Sequence, residues 1–161
     1  MNPRLTKGLI IAALHLAIVG SLGVKLLIDR ATRPRVWART GPIDPDSPLR
    51  GRYVRLRVEG EPIDVGDASD ISVRLTESKG LLAFTPASGG LTARVTTRDG
   101  RRVATLNQPL AFFIPEHVPD PSVRAPGEEL WVEVTLPKQG APRPIRLAVK
   151  KDGGLTPLDL D

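Results

Sequence analysis

Seventeen consecutive residues, Gly8 to Val24, carry no charged side chain apart from the titratable His15, and counting on past Lys25 to Ile28 extends the apolar run to 21. A helix of that length rises about 30 Å, the thickness of a bilayer's hydrocarbon core. The run is apolar on every side rather than along one stripe, which sets it apart from a helix packed on a soluble core. Lys25 lies close enough to one end for its four-carbon stem to carry the ammonium to the headgroups. The reading is a single membrane anchor. A cleaved signal peptide, with Ser21 to Gly23 as its small-residue cleavage site, is the alternative, and a buried soluble helix is a third. Mid-run His15 is either a proton relay or a neutral imidazole bonded to a backbone carbonyl, and the second is expected. Gly8, Ala12, Gly20 and Gly23 are small enough for another helix to approach closely. Arg4 and Lys7 precede the run, whereas Arg30, Arg33, Arg35 and Arg39 follow it. Long domains translocate largely regardless of charge. A count of the flanking charges alone would place the domain in the cytoplasm. A short basic tail followed by an apolar run is, however, how exported chains begin, and the expectation is the tail inside and the domain outside a bacterial cytoplasmic membrane.

Beyond the anchor the period changes from helix to strand. "RPRVWART" (Arg33 to Thr40) is extended, and "GPIDPDSPLRG" must be a turn-rich loop. Val54, Leu56 and Val58 then alternate with Tyr53, Arg55 and Arg57. Ile71, Val73 and Leu75 repeat the pattern. So do Leu130, Val132, Val134 and Leu136, and again Ile145, Leu147 and Val149. "LTARVTTRDGRRVATL" is a hairpin whose Asp99-Gly100 turn supplies positive φ cheaply. Sixteen prolines and fifteen glycines fit many turns and exclude a helical bundle. The expected fold is mainly β: one N-terminal transmembrane helix, then a small antiparallel β sandwich or partly open barrel of about eight strands. The expected division is 1–29 for tail and anchor, 30–50 for a membrane-proximal strand and Pro/Asp-rich loop, and 51–161 for the rest of the β domain.

Charge narrows the partners. The formal net charge is +5, but residues 29 onward hold twenty basic and eighteen acidic side chains. That excess is too small for a nucleic-acid domain, and aromatic residues at 4% give no base-stacking platform. The basic residues are concentrated instead: residues 30–57 contain eight arginines and two aspartates. Arg50, Arg52, Arg55 and Arg57 are the candidate interaction surface. On a half-buried strand such arginines are also what a solvated face contains. Near an anionic leaflet each basic residue contributes on the order of 1 kcal/mol of attraction. "FFIPEHVPDP" contains the densest apolar cluster of the soluble part. Phe112, Phe113, Pro115 and Glu116 are a second candidate site, either core packing at a strand end or an exposed edge stopped by Pro115.

The run Gly51, Arg52, Tyr53, Val54, Arg55, Leu56, Arg57, Val58 resembles the signature of the GDYXXLXY membrane-protein family, a Gly-Asp-Tyr-x-x-Leu-x-Tyr run soon after an N-terminal membrane helix. Gly51, Tyr53 and Leu56 match. Arg52 stands where the family has aspartate, and Val58 where it has tyrosine. The Pro-x-Asp-Pro lead-in, "AFFIPE" (Ala111 to Glu116) and "EELWVEVTL" (Glu128 to Leu136) are similar to its other motifs, in order, over most of residues 35–150. The resemblance implies a bacterial membrane protein that accompanies multi-spanning proteins, with no activity to carry over. Read as structure, Gly51 takes a strained φ, Leu56 faces the core, and Tyr53 buries its ring and gives its hydroxyl to the backbone.

Candidate chemistry is sparse. A membrane helix followed by a β domain also resembles the layout of membrane-bound signal peptidases, which makes Ser47 or Ser69 with Lys79 the dyad to test. Paired-carboxylate hydrolysis would use Glu116 with Glu128 or Glu129. A zinc site lacks ligands: of two histidines only His117 is outside the anchor, beside Glu116 and Asp120. A serine triad through His117 lacks the Gly-x-Ser-x-Gly elbow, and no phosphate-binding or dinucleotide loop is present. The chain has no cysteine. No catalytic residue, cofactor or metal is expected. The first reading is a non-enzymatic docking or accessory module for a membrane-protein partner, with anionic lipid contact as a second interaction. A membrane-tethered hydrolase and an exported soluble binding module are the alternatives.

Overall fold

The computed structural model describes residues 3–41 and 53–160, and the chain separates into two compact units at Arg33/Pro34. The first unit is one helix, α1 (Pro3–Thr32). Within it Lys7–Ile28 is long and apolar enough to cross a membrane. Three of its polar side chains bond back to the helix itself. His15 Nδ1 lies 2.9 Å from the Ile11 carbonyl, and the Ser21 and Thr32 hydroxyls donate to the carbonyls of Ile18 and Ile28. Such back-bonding removes the cost of a bare polar group in hydrocarbon, and it is the backbone-bonded state expected of His15.

The second unit is built from strands alone, ten among the described residues: β1 (Arg35–Gly41), β2 (Tyr53–Pro62), β3 (Asp70–Ser78), β4 (Leu81–Pro86), β5 (Leu91–Arg98), β6 (Arg101–Leu106), β7 (Leu110–Phe113), β8 (Glu129–Thr135), β9 (Arg143–Lys151) and β10 (Gly154–Pro157). The mainly β expectation holds, with the barrel of its two architectures. Six strands close a ring in the order β1-β4-β3-β5-β6-β2 and back to β1. Closure uses a short parallel contact, Trp37 opposite Leu81, and an antiparallel one, Arg39 opposite Glu59. Strands β8, β9 and β10 extend the sheet outward from β1, and β7 continues it from β2.

Local sequence explains the ring. Three connections, Lys79-Gly80, Asp99-Gly100 and Asp152-Gly153, place both central residues at positive φ. That geometry matches the twist of the flanking strands in a two-residue hairpin. Alternation then supplies the core: Val54, Leu56 and Val58 of β2, Val73 and Leu75 of β3, Leu82 and Phe84 of β4, and Val132 and Val134 of β8 are all buried. Gly60 lets β2 lie against β4, since a Cβ there would fall 2.5 Å from the Leu82 carbonyl oxygen and 2.6 Å from the Phe84 ring.

The candidate interaction surface on β2 and β7

Strand β2 pairs with β7 in antiparallel register, Tyr53 opposite Phe113, Val54 opposite Phe112, Arg55 opposite Ala111 and Leu56 opposite Leu110. The pleat sends Val54, Leu56, Leu110 and half-buried Phe112 toward the core. Tyr53, Arg55, Ala111 and Phe113 face solvent. Tyr53 and Phe113 are 57% and 53% exposed. Their rings meet edge to face, 5.6 Å between centroids at 74°. This corrects the expectation for Tyr53: its ring leans on another surface ring instead of entering the core. The parity of β2 compels it, because Tyr53 shares its face with Arg55 and Arg57 and the opposite face is filled.

Arg55 and Arg57 stand two residues apart, so their Cα atoms are about 7 Å apart along the strand. Several cations elsewhere in the domain are committed. Arg39 binds Glu129 at 2.9 Å, Arg98 binds Glu59 at 3.0 Å, Arg146 binds Glu133 at 2.7 Å and Arg94 binds Asp70 at 3.4 Å. Arg102 donates to the carbonyls of Val65 and Gly66. Arg55 and Arg57 take part in no ion pair among the described residues. The face therefore offers two uncommitted guanidinium groups beside an exposed aromatic pair, on a strand whose neighbour β7 ends the sheet. Arg50, Gly51 and Arg52, the rest of the predicted basic cluster and motif, lie outside the described residues, as does Ser47.

The second predicted site divides. Phe112 packs on the core and Phe113 is a surface residue. Pro115 follows the last ladder pair, and its carbonyl accepts from Val118 N in a turn. Glu116 is exposed and engaged in an interaction of its own.

The serine–lysine dyad does not assemble from the described residues. Ser69 precedes the nine-residue strand β3 and Lys79 follows it, which sets them about 30 Å apart. Both are exposed, and Lys79 is a turn residue with φ 53°, so no desolvated base is present there. Glu129 is held by Arg39 and by the Trp131 indole N–H at 3.0 Å, while Glu128 meets Lys151 at 3.3 Å. These carboxylates are structural anchors. Asp120 accepts the Ser122 amide at 2.8 Å. His117 is exposed, and no three His, Asp or Glu side chains among the described residues converge on a point that could hold a metal ion.

Sequence reasoning missed two features. On β1, β8 and β9, Arg146 lies over Trp37 at 5.4 Å and Lys150 over Trp131 at 4.7 Å. With Glu129 and Glu133 they cover the outer side of β8, so that strand is buried on both faces. Simple alternation left Trp131 and Glu133 in water. A Trp-x-Glu pair facing a Lys- and Arg-bearing neighbour strand was the signal available. Glu59 is the second feature: it is 3% exposed, with one oxygen on Arg98 and Oε2 without a partner among the described residues. Gly41 makes room for it, since a Cβ there would lie 2.5 Å from Glu59 Oε1. Comparison of the chain with protein-family models, curated proteins and solved structures found no match.

Proposed function

We propose that this chain is a single-pass protein of a bacterial cytoplasmic membrane whose extracytoplasmic barrel is a non-enzymatic docking module for a membrane-protein partner. The observation that carries the reading is the outer face of β2 and β7: Tyr53 and Phe113 exposed in mutual contact, beside the unpaired Arg55 and Arg57. Tyrosine and arginine are enriched among the residues that dominate protein interfaces. A pair of large rings left in water is otherwise an unfavourable use of apolar area. The apolar helix supports confinement to a membrane, where a modest surface suffices because tethering raises the effective concentration of any partner in the same bilayer. The similarity of Gly51, Tyr53 and Leu56 to the GDYXXLXY signature supports the same assignment and a multi-spanning partner.

The test places a photo-cross-linking residue at Arg55 or Ala111 in the full chain, in native membranes, with exposed Arg74 of β3 as control site. The reading requires one membrane protein captured from 55 or 111 and not from 74, with capture reduced at least tenfold by Tyr53→Ala with Phe113→Ala. Capture of lipid alone would replace the protein partner with a bilayer surface. Equal capture from 74 would show that the β2–β7 face is only solvated.

A further inference from the structure

The apolar helix carries a polar atom that the chain itself leaves without a partner. His15 belongs to the span Lys7–Ile28 of α1. It stands about 12 Å along the axis from Lys7, well inside a hydrocarbon core about 30 Å thick. A backbone carbonyl only accepts, so the 2.9 Å contact between His15 Nδ1 and the Ile11 oxygen is a hydrogen bond only when Nδ1 carries the proton. In the neutral imidazole that leaves Nε2 as a bare acceptor. The residue is exposed on the helix and takes part in no other hydrogen bond among the described residues. Lipid tails hold no donor, so an acceptor facing them loses the hydration it had in water and gains nothing in exchange. The helix surface beside the ring is open. Ala12 and Gly8 stand one and two turns before His15 on the same side, the direction in which a helical side chain leans. A Cβ placed on Gly8 would meet nothing within 4 Å. Small residues there let a second helix come close enough to reach Nε2.

We propose that the His15 face of α1 docks a transmembrane helix of another membrane protein, which donates a hydrogen bond to His15 Nε2 from a hydroxyl, carboxamide or indole. This docking rests on the membrane-anchor reading and adds a contact within the bilayer to the one on the barrel. A second copy of this chain is a poor complement. Its Nε2 is an acceptor as well, and the uncharged side-chain donors of its span, His15 Nδ1–H and the Ser21 hydroxyl, are already given to the Ile11 and Ile18 carbonyls. Two acceptors cannot bond each other, so the donor comes from a different helix. Histidine is among the side chains that bond across membrane helices in this way.

The experiment uses the full chain in native membranes, after carbonate extraction has shown whether they retain it. A photo-cross-linking residue is placed at Ala12, on the His15 face, or at Ala17, on the opposite one. Position 12 is expected to capture one membrane protein at least tenfold more than position 17 does. The linked residue should lie in a transmembrane segment, within one turn of a serine, threonine, tyrosine, tryptophan, asparagine or glutamine. His15→Leu should lower that capture at least tenfold. His15→Gln, whose carbonyl oxygen reaches about as far as Nε2, should keep most of it. Removing the partner's donor should lower capture as His15→Leu does. A ¹⁵N-histidine spectrum of the full chain carrying His117→Asn, in detergent micelles at alkaline pH, should show a protonated Nδ1 and an unprotonated Nε2. The proposal is overturned by equal capture from 12 and 17, by capture of lipid alone or of a second copy, by capture that His15→Leu leaves unchanged, by equal loss in His15→Gln, or by a protonated Nε2. Those results leave the anchor standing as long as the chain stays in the carbonate pellet, and they leave capture from Arg55 or Ala111 unaffected. Release by carbonate removes the anchor and this docking together.

Discussion

Glu59 shows how one side chain sets the tolerance of its neighbours. Its carboxylate is buried, and Arg98, 41% exposed at the side chain, is its charged partner. Arg98→Ala would leave a buried charge alone. We expect a loss of about 2 kcal/mol, below the ~3–5 kcal/mol of a fully buried pair because water reaches the arginine. The Arg94–Asp70 pair is exposed on both sides, so Arg94→Ala should change stability by no more than about 0.5 kcal/mol. Urea unfolding of the two variants in the same detergent measures the difference, and equal losses would refute it. Gly60 belongs to the same scale. Gly60→Ala drives a methyl into the Leu82 backbone oxygen and the Phe84 ring. Neither is the free end of a flexible chain, so a cost of about 3 kcal/mol or failure to fold is expected. A wild-type urea midpoint for this variant would show that β2 and β4 can move apart.

At the scale of the element, the hairpins carry most of what could be read from residues alone. Asp99-Gly100 was legible because an acidic residue followed by glycine between two alternating runs has one common geometry. Lys79-Gly80 makes the same turn, but lysine gives no such signal, and β4 after it is a plain apolar run whose period decides nothing. Asparagine tolerates the left-handed region better than lysine. Lys79→Asn should therefore stabilise the protein by about 0.5 kcal/mol, seen as a higher urea midpoint with an unchanged slope. A lower midpoint would mean that the Lys79 stem contributes packing. The candidate site was half legible for a related reason. Alternation placed Arg55 and Arg57 on the wet face correctly. For Tyr53 the chemistry of the side chain argues inward, whereas its parity with Arg55 and Arg57 points outward, and parity prevails. Trp131 and Glu133 went astray because their cover comes from β9, and pairing partners distant in sequence leave no local trace.

For the whole molecule, helix and barrel make separable predictions. The full chain should remain in the membrane pellet after alkaline carbonate extraction, while residues 34–161 produced alone should appear in the supernatant. Release of the intact full chain would remove the anchor from the reading, and an intact mass lacking the first residues would convert it to an exported module. The chain's freedom from cysteine makes topology accessible through single introduced cysteines. A cysteine at exposed Ala111 should react with a membrane-impermeant maleimide in intact spheroplasts if the barrel is extracytoplasmic, and only after lysis if it is not.

The ring has a consequence for the order in which the protein can be made. Strand β1 is the earliest strand to emerge, yet one of its long neighbours is β8, where Arg35 lies opposite Thr135 and Arg39 opposite Trp131. Contacts so far apart in the chain make acquisition of the native state slow, in the range of milliseconds to seconds. Until translation has passed Thr135, the first strand must wait with one side bare, at the mouth of whatever machinery delivers it. Until then that bare strand edge is a template on which another chain can pair.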